Sequence, residues 1–385
     1  MESTPPTHRS RRRQRLGIAL SLAAAVTIAA LTALALLHPA TAPPASASRA
    51  SATTRTATTP SPTPSPTPTP LTPAQALLET RTDPKACAVS FAGAGITHGP
   101  QLQTQGKLYR YLPIPRRTGA VFAGWYASPK AAASADTPSR VNGADVVTCT
   151  GRQVTLYAAW TTPAAVKAAD VGVPILLYHR FTTNPAGEPG SLRRNYMYTG
   201  DFDAQMAYLA DHHFYLPTWD ELSAFIDGKL ALPHDSVIIT DDDADTTWLE
   251  LGVPIIEKHK LLTTSFVITR WRSEPSPSIY VLQRSHTHDM HDAGANGRGK
   301  MVNYSADQIA ADMRKSAKIL GVKEVMAYPF GDYDEAAKQG LREAGFAMAR
   351  TTHHGYVHAG TDKLALPCIR MSYGTRVNGL VAQLG

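Results

Sequence analysis

Only three of the 385 residues are cysteine, and only 18% are charged. Three thiols cannot build a disulfide-rich scaffold, so the chain must rely on a hydrophobic core. The formal net charge is +7. However, "HRSRRRQR" at residues 8 to 15 supplies five arginines, and the rest of the chain is only mildly basic. Charge therefore gives no case for nucleic-acid binding. Residues 84 to 161 hold a single histidine, His98, and no carboxylate cluster, so no chemistry is expected there. Residues 38 to 73 have almost no large apolar side chain. A stretch of Pro, Thr, Ser and Ala cannot bury a core, and its prolines keep it extended.

The residues present fall into segments. After the basic tail (1–15), Leu16 to Leu37 run for 22 residues without a charge. That is long enough to cross a bilayer as a helix, with the arginine-rich flank on the cytoplasmic side. An uncleaved membrane anchor is the favoured reading over a long signal peptide. Either way, the remainder of the chain is exported. Residues 38–83 read as a stalk. Residues 84–161 hold short alternating pieces, "CAVSFAG", "KLYRYLP", "AVFAGWYAS" and "QVTLYAAW", rich in aromatic and β-branched residues, which predicts a small β-rich module. Cys87 and Cys149 bracket this module and are expected to form a disulfide, leaving Cys368 as a buried free thiol.

From residue 171 to 385 the pattern changes to apolar strands alternating with helical stretches. "VPILLYH", "DSVIIT", "LTTSFVIT" and "AMARTT" read as strands. "TGDFDAQMAYLADHH", "YSADQIAADMRKSAKILG" and "DEAAKQGLREAG" read as helices, with Ser305 and Gly321 as start and stop. Such alternation implies an α/β domain with a parallel sheet, either a barrel or an open doubly wound sheet. In both, catalytic groups gather at the C-terminal ends of the strands.

Two clusters sit where such a domain places its site. "SVIIT" runs directly into Asp241, Asp242, Asp243 and Asp245. Adjacent carboxylates at a buried strand end repel one another unless a cation or open water intervenes. A solvated turn that caps the next helix is the plainer alternative. Downstream, "RSHTHDMHDAG" places His286, His288 and His291 within six positions, a metal site or merely a polar loop. An aspartate with two histidines suits a catalytic zinc or similar divalent ion, and a further carboxylate could take a proton from water. The residues thus suggest metal-assisted hydrolysis.

The series "VPILLYH", "VIITDDDAD", "SHTHDMH" and "YPFG" resembles the polysaccharide deacetylase (NodB-homology, carbohydrate esterase family 4) domain over residues 171 to about 375. The resemblance implies a distorted (β/α)7 barrel and metal-dependent removal of N-acetyl groups from N-acetylglucosamine-containing polymers. The family's Thr-Phe-Asp-Asp-Gly motif, aligned on Thr240, makes Asp242 the base and Asp243 the metal ligand. It also sets Asp241 in place of Phe and Ala244 in place of Gly. The five-residue spacing from His286 to His291 is similar to the poly-N-acetylglucosamine deacetylase branch, which implies these two as the remaining ligands and His288 as a bystander. "YPFGDY" fits that branch with Ala327 where others carry Arg. Tyr328 and Pro329 are then expected to line the substrate groove. His179 is the preferred general acid, with His353, His354 and His358 as alternatives. Residues 84–161 similarly resemble an internalin-type B repeat, a β-grasp-like module, through "FAGWYASP" and "VTLYAAW".

The expected partners are an N-acetylated glycan and, through the N-terminal segment, a membrane. The expected cofactor is a divalent metal ion, Zn2+ by its ligand set. Two rival readings remain: a catalytically impaired glycan-binding adhesion protein, and an O-acetyl esterase using the same site.

Overall fold

The structure is a computed structural model that describes residues 70–384. The basic tail, the apolar segment 16–37 and most of the stalk lie outside the described residues. Among the described residues, no helix is long and apolar enough to cross a membrane. The end of the expected stalk is not extended. Pro73–Glu79 form a helix, started by a capping box between Thr72 and Gln75 with Pro73 in the first turn. Its Ala74 and Leu78 pack on Ala86 and Ala88. Local capping chemistry and two apolar side chains on one face explain the departure from the stalk's composition.

The module is a five-stranded sheet of β1 (Ala86–Ala92), β2 (Gln101–Thr104), β3 (Val121–Tyr126), β4 (Arg140–Val141) and β5 (Gln153–Thr161), in the order β2-β1-β5-β3-β4. The neighbours β1 and β5 are parallel and the other pairs antiparallel. Phe122 and Trp125 are buried and meet edge-on, 5.1 Å between centroids. Cys87 and Cys149 are joined in a disulfide across 62 residues. Closing a loop of that length removes unfolded-state entropy worth about 4 kcal/mol.

Seven parallel strands close the larger barrel: β6 (Ile175–Tyr178), then, after the short pair β7 (Arg180–Thr182) and β8 (Tyr196–Tyr198), β9 (Ile238–Asp242), β10 (Thr263–Val267), β11 (Val281–Ser285), β12 (Val325–Ala327), β13 (Met348–His354) and β14 (Leu366–Arg370). Pairing runs round the barrel in chain order, with β7 and β8 outside it, and β14 returns to β6. Strand side chains alternate between two layers. Ile175, Leu177, Ile238, Phe266 and Met348 share one core, while Leu176, Tyr178, Ile239 and Val267 pack in a second with helix residues Phe202, Met206 and Ile256. On β9 this alternation turns Asp242 inward with Ile238, and Asp241 outward toward the helices.

Helix Ala306–Leu320 begins at a Ser305–Gln308 capping box and stops at Gly321, whose φ is +72°. It packs with helix Glu335–Ala344 over β12, through Ile309, Met313, Leu341 and Met326. Strand β11 (VLQRS) carries polar residues and β14 (LPCIR) a proline, which hides them from a reading based on apolar runs.

The module and barrel share one core, and the chain between them is not a linker. Pro163–Ala169 form a helix capped by Thr162. Ala231 N–H donates to Phe122 O at 2.8 Å, and Asn142 Nδ2 donates to Leu216 O at 2.8 Å and Glu221 Oε2 at 2.7 Å. Arg140 lies over the Tyr215 ring and donates to Ala231 O. A Cβ at Gly124, whose φ is +107°, would meet Arg140 Nε at 2.3 Å. The buried arginine therefore requires glycine there.

Candidate active site

The site forms at the C-terminal ends of β6, β9, β11, β12 and β13. Asp243 follows β9 directly, at φ +75°, and Ala244 follows at +51°. Two successive residues in the left-handed region make the chain turn sharply. They aim the Asp243 carboxylate across the barrel mouth, at a cost in backbone strain.

Three side chains converge there. Asp243 Oδ1 lies 3.4 Å from His286 Nε2 and 3.1 Å from His291 Nε2. Ligand atoms of these residues all fall within 4.8 Å of one another. His286 is buried, and its Nδ1 donates to Ala327 O at 2.8 Å. A carbonyl can only accept, so Nδ1 carries the proton and Nε2 presents its lone pair to Asp243. Asp243 Oδ1 is buried and receives no hydrogen bond. An orphaned carboxylate oxygen facing imidazole nitrogens is a donor set that fits a divalent cation. Burial alone would raise the Asp243 pKa, but the His291 contact and the charges of His286, His179 and His291 hold it well below the usual carboxylate range. Burial drives His286 down to about 4. His291 moves the other way, because Asp243 outweighs the effect of its burial.

Around this triad the sequence-predicted residues divide. His179, just after β6, places Nε2 3.2 Å from Asp243 Oδ2. Asp242 is buried at the barrel interior and takes a charged hydrogen bond from Arg350 Nη2. Asp245 caps the following helix, its Oδ1 accepting from Trp248 N–H at 3.0 Å, so the plain capping reading holds for that one carboxylate. Asp241 is fully buried in the helix layer within reach of Ser265 Oγ, and burial beside three other carboxylates pushes its pKa far up. His288 turns away, with Nδ1 3.1 Å from Thr269 Oγ1. His353 and His354 are exposed at the end of β13.

Tyr328 and Pro329 do not line a groove. Alternation along β12 turns Ala327 inward and Tyr328 outward, where it is fully buried with Met313 and Leu341 and donates to Leu364 O at 3.0 Å. Pro329 is buried as well. The side chain delivered to the site is Phe330. It sits at φ +60°, is 54% exposed, and its ring lies 4.7 Å from that of His291. Gly331 lets the turn form, because at φ +80° any Cβ would strike Thr352 Oγ1. On the other side Trp271, 61% exposed, lies 6.2 Å from His291.

Sequence reading also missed two supporting residues. Ala327 and Arg350 are register partners on adjacent strands. Arg350 is fully buried beside the small side chain of Ala327 and reaches Asp242. Asp312, on helix Ala306–Leu320, accepts His288 N–H at 2.7 Å and Asp289 N–H at 2.8 Å. Burial raises its pKa, and these two donors offset part of the rise. Asp312 thereby fixes the turn between His286 and His291.

Residues 229–349 match the profile of the polysaccharide deacetylase family. Over 192 residues the chain is 26% identical to the poly-beta-1,6-N-acetyl-D-glucosamine N-deacetylase of Staphylococcus aureus, covering 44% of this chain and 66% of that one. The Staphylococcus epidermidis enzyme of the same name is 24% identical over 201 residues, 46% and 69% of the two chains. The chain thus spans just under two thirds of the Staphylococcus aureus relative. Among solved structures, Streptococcus pyogenes deacetylase PplD in complex with acetate is 21% identical, covers 56% of this chain and 99% of its own, and superposes with a TM-score of 0.48. Residues 229–349 thus carry a polysaccharide deacetylase domain.

Proposed function

We propose that this protein is a metal-dependent hydrolase that removes N-acetyl groups from an N-acetylglucosamine-containing polysaccharide, an exopolysaccharide or peptidoglycan. The observation that carries the reading is the buried, hydrogen-bond-free Asp243 Oδ1 facing two imidazole nitrogens, next to a second carboxylate held by a buried arginine. Asp243, His286 and His291 would hold the ion, and zinc fits one oxygen and two nitrogen ligands. A divalent cation there supplies Lewis acidity, polarising the acetamide carbonyl and acidifying water.

The chain's own groups do the rest. Asp242, fixed by Arg350, takes the proton from the water that attacks the acetamide carbon. A C–O bond forms and the C–N bond breaks. His179 gives its proton to the departing amine, so the products are acetate and a glucosamine unit. Phe330 and Trp271 offer apolar ring faces beside His291 on which a sugar can stack. The name of the staphylococcal relatives makes a β-1,6-linked polymer the first substrate to try. The order of basic tail, apolar run and Pro/Thr/Ser-rich stretch supports a location outside a membrane, with the sheet module, similar to a B repeat, as a spacer.

Acetate release from N-acetylglucosamine oligomers tests the proposal. Asp242→Asn should lower kcat by about 10²- to 10⁴-fold while leaving metal content unchanged. Retained glycan binding without release by the wild-type protein would favour the adhesion reading. Release only from O-acetylated glycans would favour the esterase.

A further inference from the structure

A second concave surface lies at the opposite end of the barrel. The module and the N-terminal rim enclose a cavity of about 990 Å³. Its walls come from the segment after β2, from the start of helix Trp219–Ile226, and from residues flanking β11 and β12. The volume matches the upper range of ligand sites, about 300–1,000 Å³. The metal-ligand cluster is at the C-terminal ends of the strands, so this cavity is not part of it.

The wall chemistry narrows the occupant. Tyr111 is 63% exposed and sits at φ +51°, an unfavourable backbone for an aromatic residue. Its loop is rigidly held. Buried Gln103 donates from Nε2 to Arg110 O at 2.8 Å and accepts Arg110 N–H at 3.1 Å, while Trp125 Nε1 donates to Pro113 O at 2.8 Å. Across the cavity Ile279 is exposed too. Gln101, Gln283 and Asp220 also line the cavity. Arg284 is paired to Glu324, and buried Glu221 to Arg140, which leaves Lys107 and Arg110 against Asp220. A polyphosphate or nucleic acid would find an excess of only one cation. The edge strand β2 has only four residues, a short ladder for an added peptide strand. Aromatic and aliphatic faces together with amides and a carboxylate suit an uncharged ligand whose C–H faces alternate with hydroxyl and acetamide groups.

We infer that this seam is a second glycan-binding site, taking a segment of neutral, N-acetylated polysaccharide. In naming the polymer, the inference rests on the proposed function. A polymer held here stays near the hydrolytic centre at a raised effective concentration. The seam therefore favours release from long chains and leaves release from short ones unaffected.

The test uses the full chain and Tyr111→Ala, with Ile279→Ser as a second variant on the other wall. The probes are N-acetylglucosamine disaccharide and soluble poly-β-1,6-N-acetylglucosamine. Binding is measured calorimetrically in an Asp242→Asn background, and acetate release in the wild-type background. Each seam variant is expected to weaken polymer binding up to about tenfold, the scale of one lost aromatic stack, and to leave release from the disaccharide unchanged. Wild-type polymer affinity in both variants overturns the inference, as does Tyr111-dependent binding of a peptide or polyphosphate in place of glycan. Tyr111-dependent glycan binding without acetate release from any glycan would keep the seam site and remove the hydrolytic reading.

Discussion

Asp312 is expected to control metal affinity without touching the metal. Its two carboxylate oxygens accept the backbone N–H groups of His288 and Asp289, the residues that lead from His286 to His291. Hydrogen bonds to a charged acceptor contribute about 1.5–3 kcal/mol each, and a buried donor left unpaired costs about 1–3 kcal/mol. Asp312→Asn keeps one acceptor and turns an amide N–H toward the other donor. Asp312→Ala removes both. The turn then loses its fixed geometry, and Thr287, already at φ +75°, is free to relax. His291 moves relative to His286 and Asp243. Residues that orient metal ligands typically change affinity by about 10- to 100-fold. We expect zinc affinity, measured by chelator competition, to fall by about tenfold in Asp312→Asn and further in Asp312→Ala, with Asp312→Asn still folded by circular dichroism. Wild-type zinc affinity in both variants would refute the role given to this carboxylate.

Arg350→Met should destabilise the protein by about 3–5 kcal/mol in chemical denaturation, because it strands Asp242 in the barrel interior; adding Asp242→Asn should recover most of that loss. Ala244→Gly should relieve the left-handed strain at φ +51°, worth about 1 kcal/mol, with kcat kept; a large loss of kcat would mean that the methyl group has a role in the site. Burial raises the Asp145 pKa to about 6, a rise that Asn142 N–H limits and Glu221 adds to. The folded form thus binds that proton more tightly than the unfolded chain, so the stability Asp145 contributes is full below the ordinary value of 3.8 and lost as pH rises toward 6. Asp145 is nevertheless exposed to solvent by surface area, which screens most of the effect. The Tm of the wild type relative to Asp145→Asn should therefore fall by only about 2 °C across that window.

The sequence made the strand end at Asp241–Asp243 and the histidine loop legible, because parallel barrels place their chemistry after strands and because the five-residue spacing was specific. The barrel's interior was harder to read. Arg350 meets Asp242 across 108 residues, and only the register of β12 against β13 shows that it lies beside Ala327. Phe330 takes the place expected of Tyr328 and Pro329 because side chains alternate along β12 and a left-handed turn follows it. Asp312 looks like any polar helix residue until the packing of its helix brings it to the loop. The seam escaped notice because composition describes module and barrel separately, while their shared core depends on Arg140, Asn142 and Glu221 meeting across it.

The most direct measurement is acetate release from poly-β-1,6-N-acetylglucosamine oligomers by protein stripped of metal and then titrated with zinc. The account predicts no release from the stripped protein, recovery complete near one equivalent of zinc, and no recovery in Asp243→Ala or His291→Ala. Full release by the stripped protein, or full recovery in those variants, would contradict it.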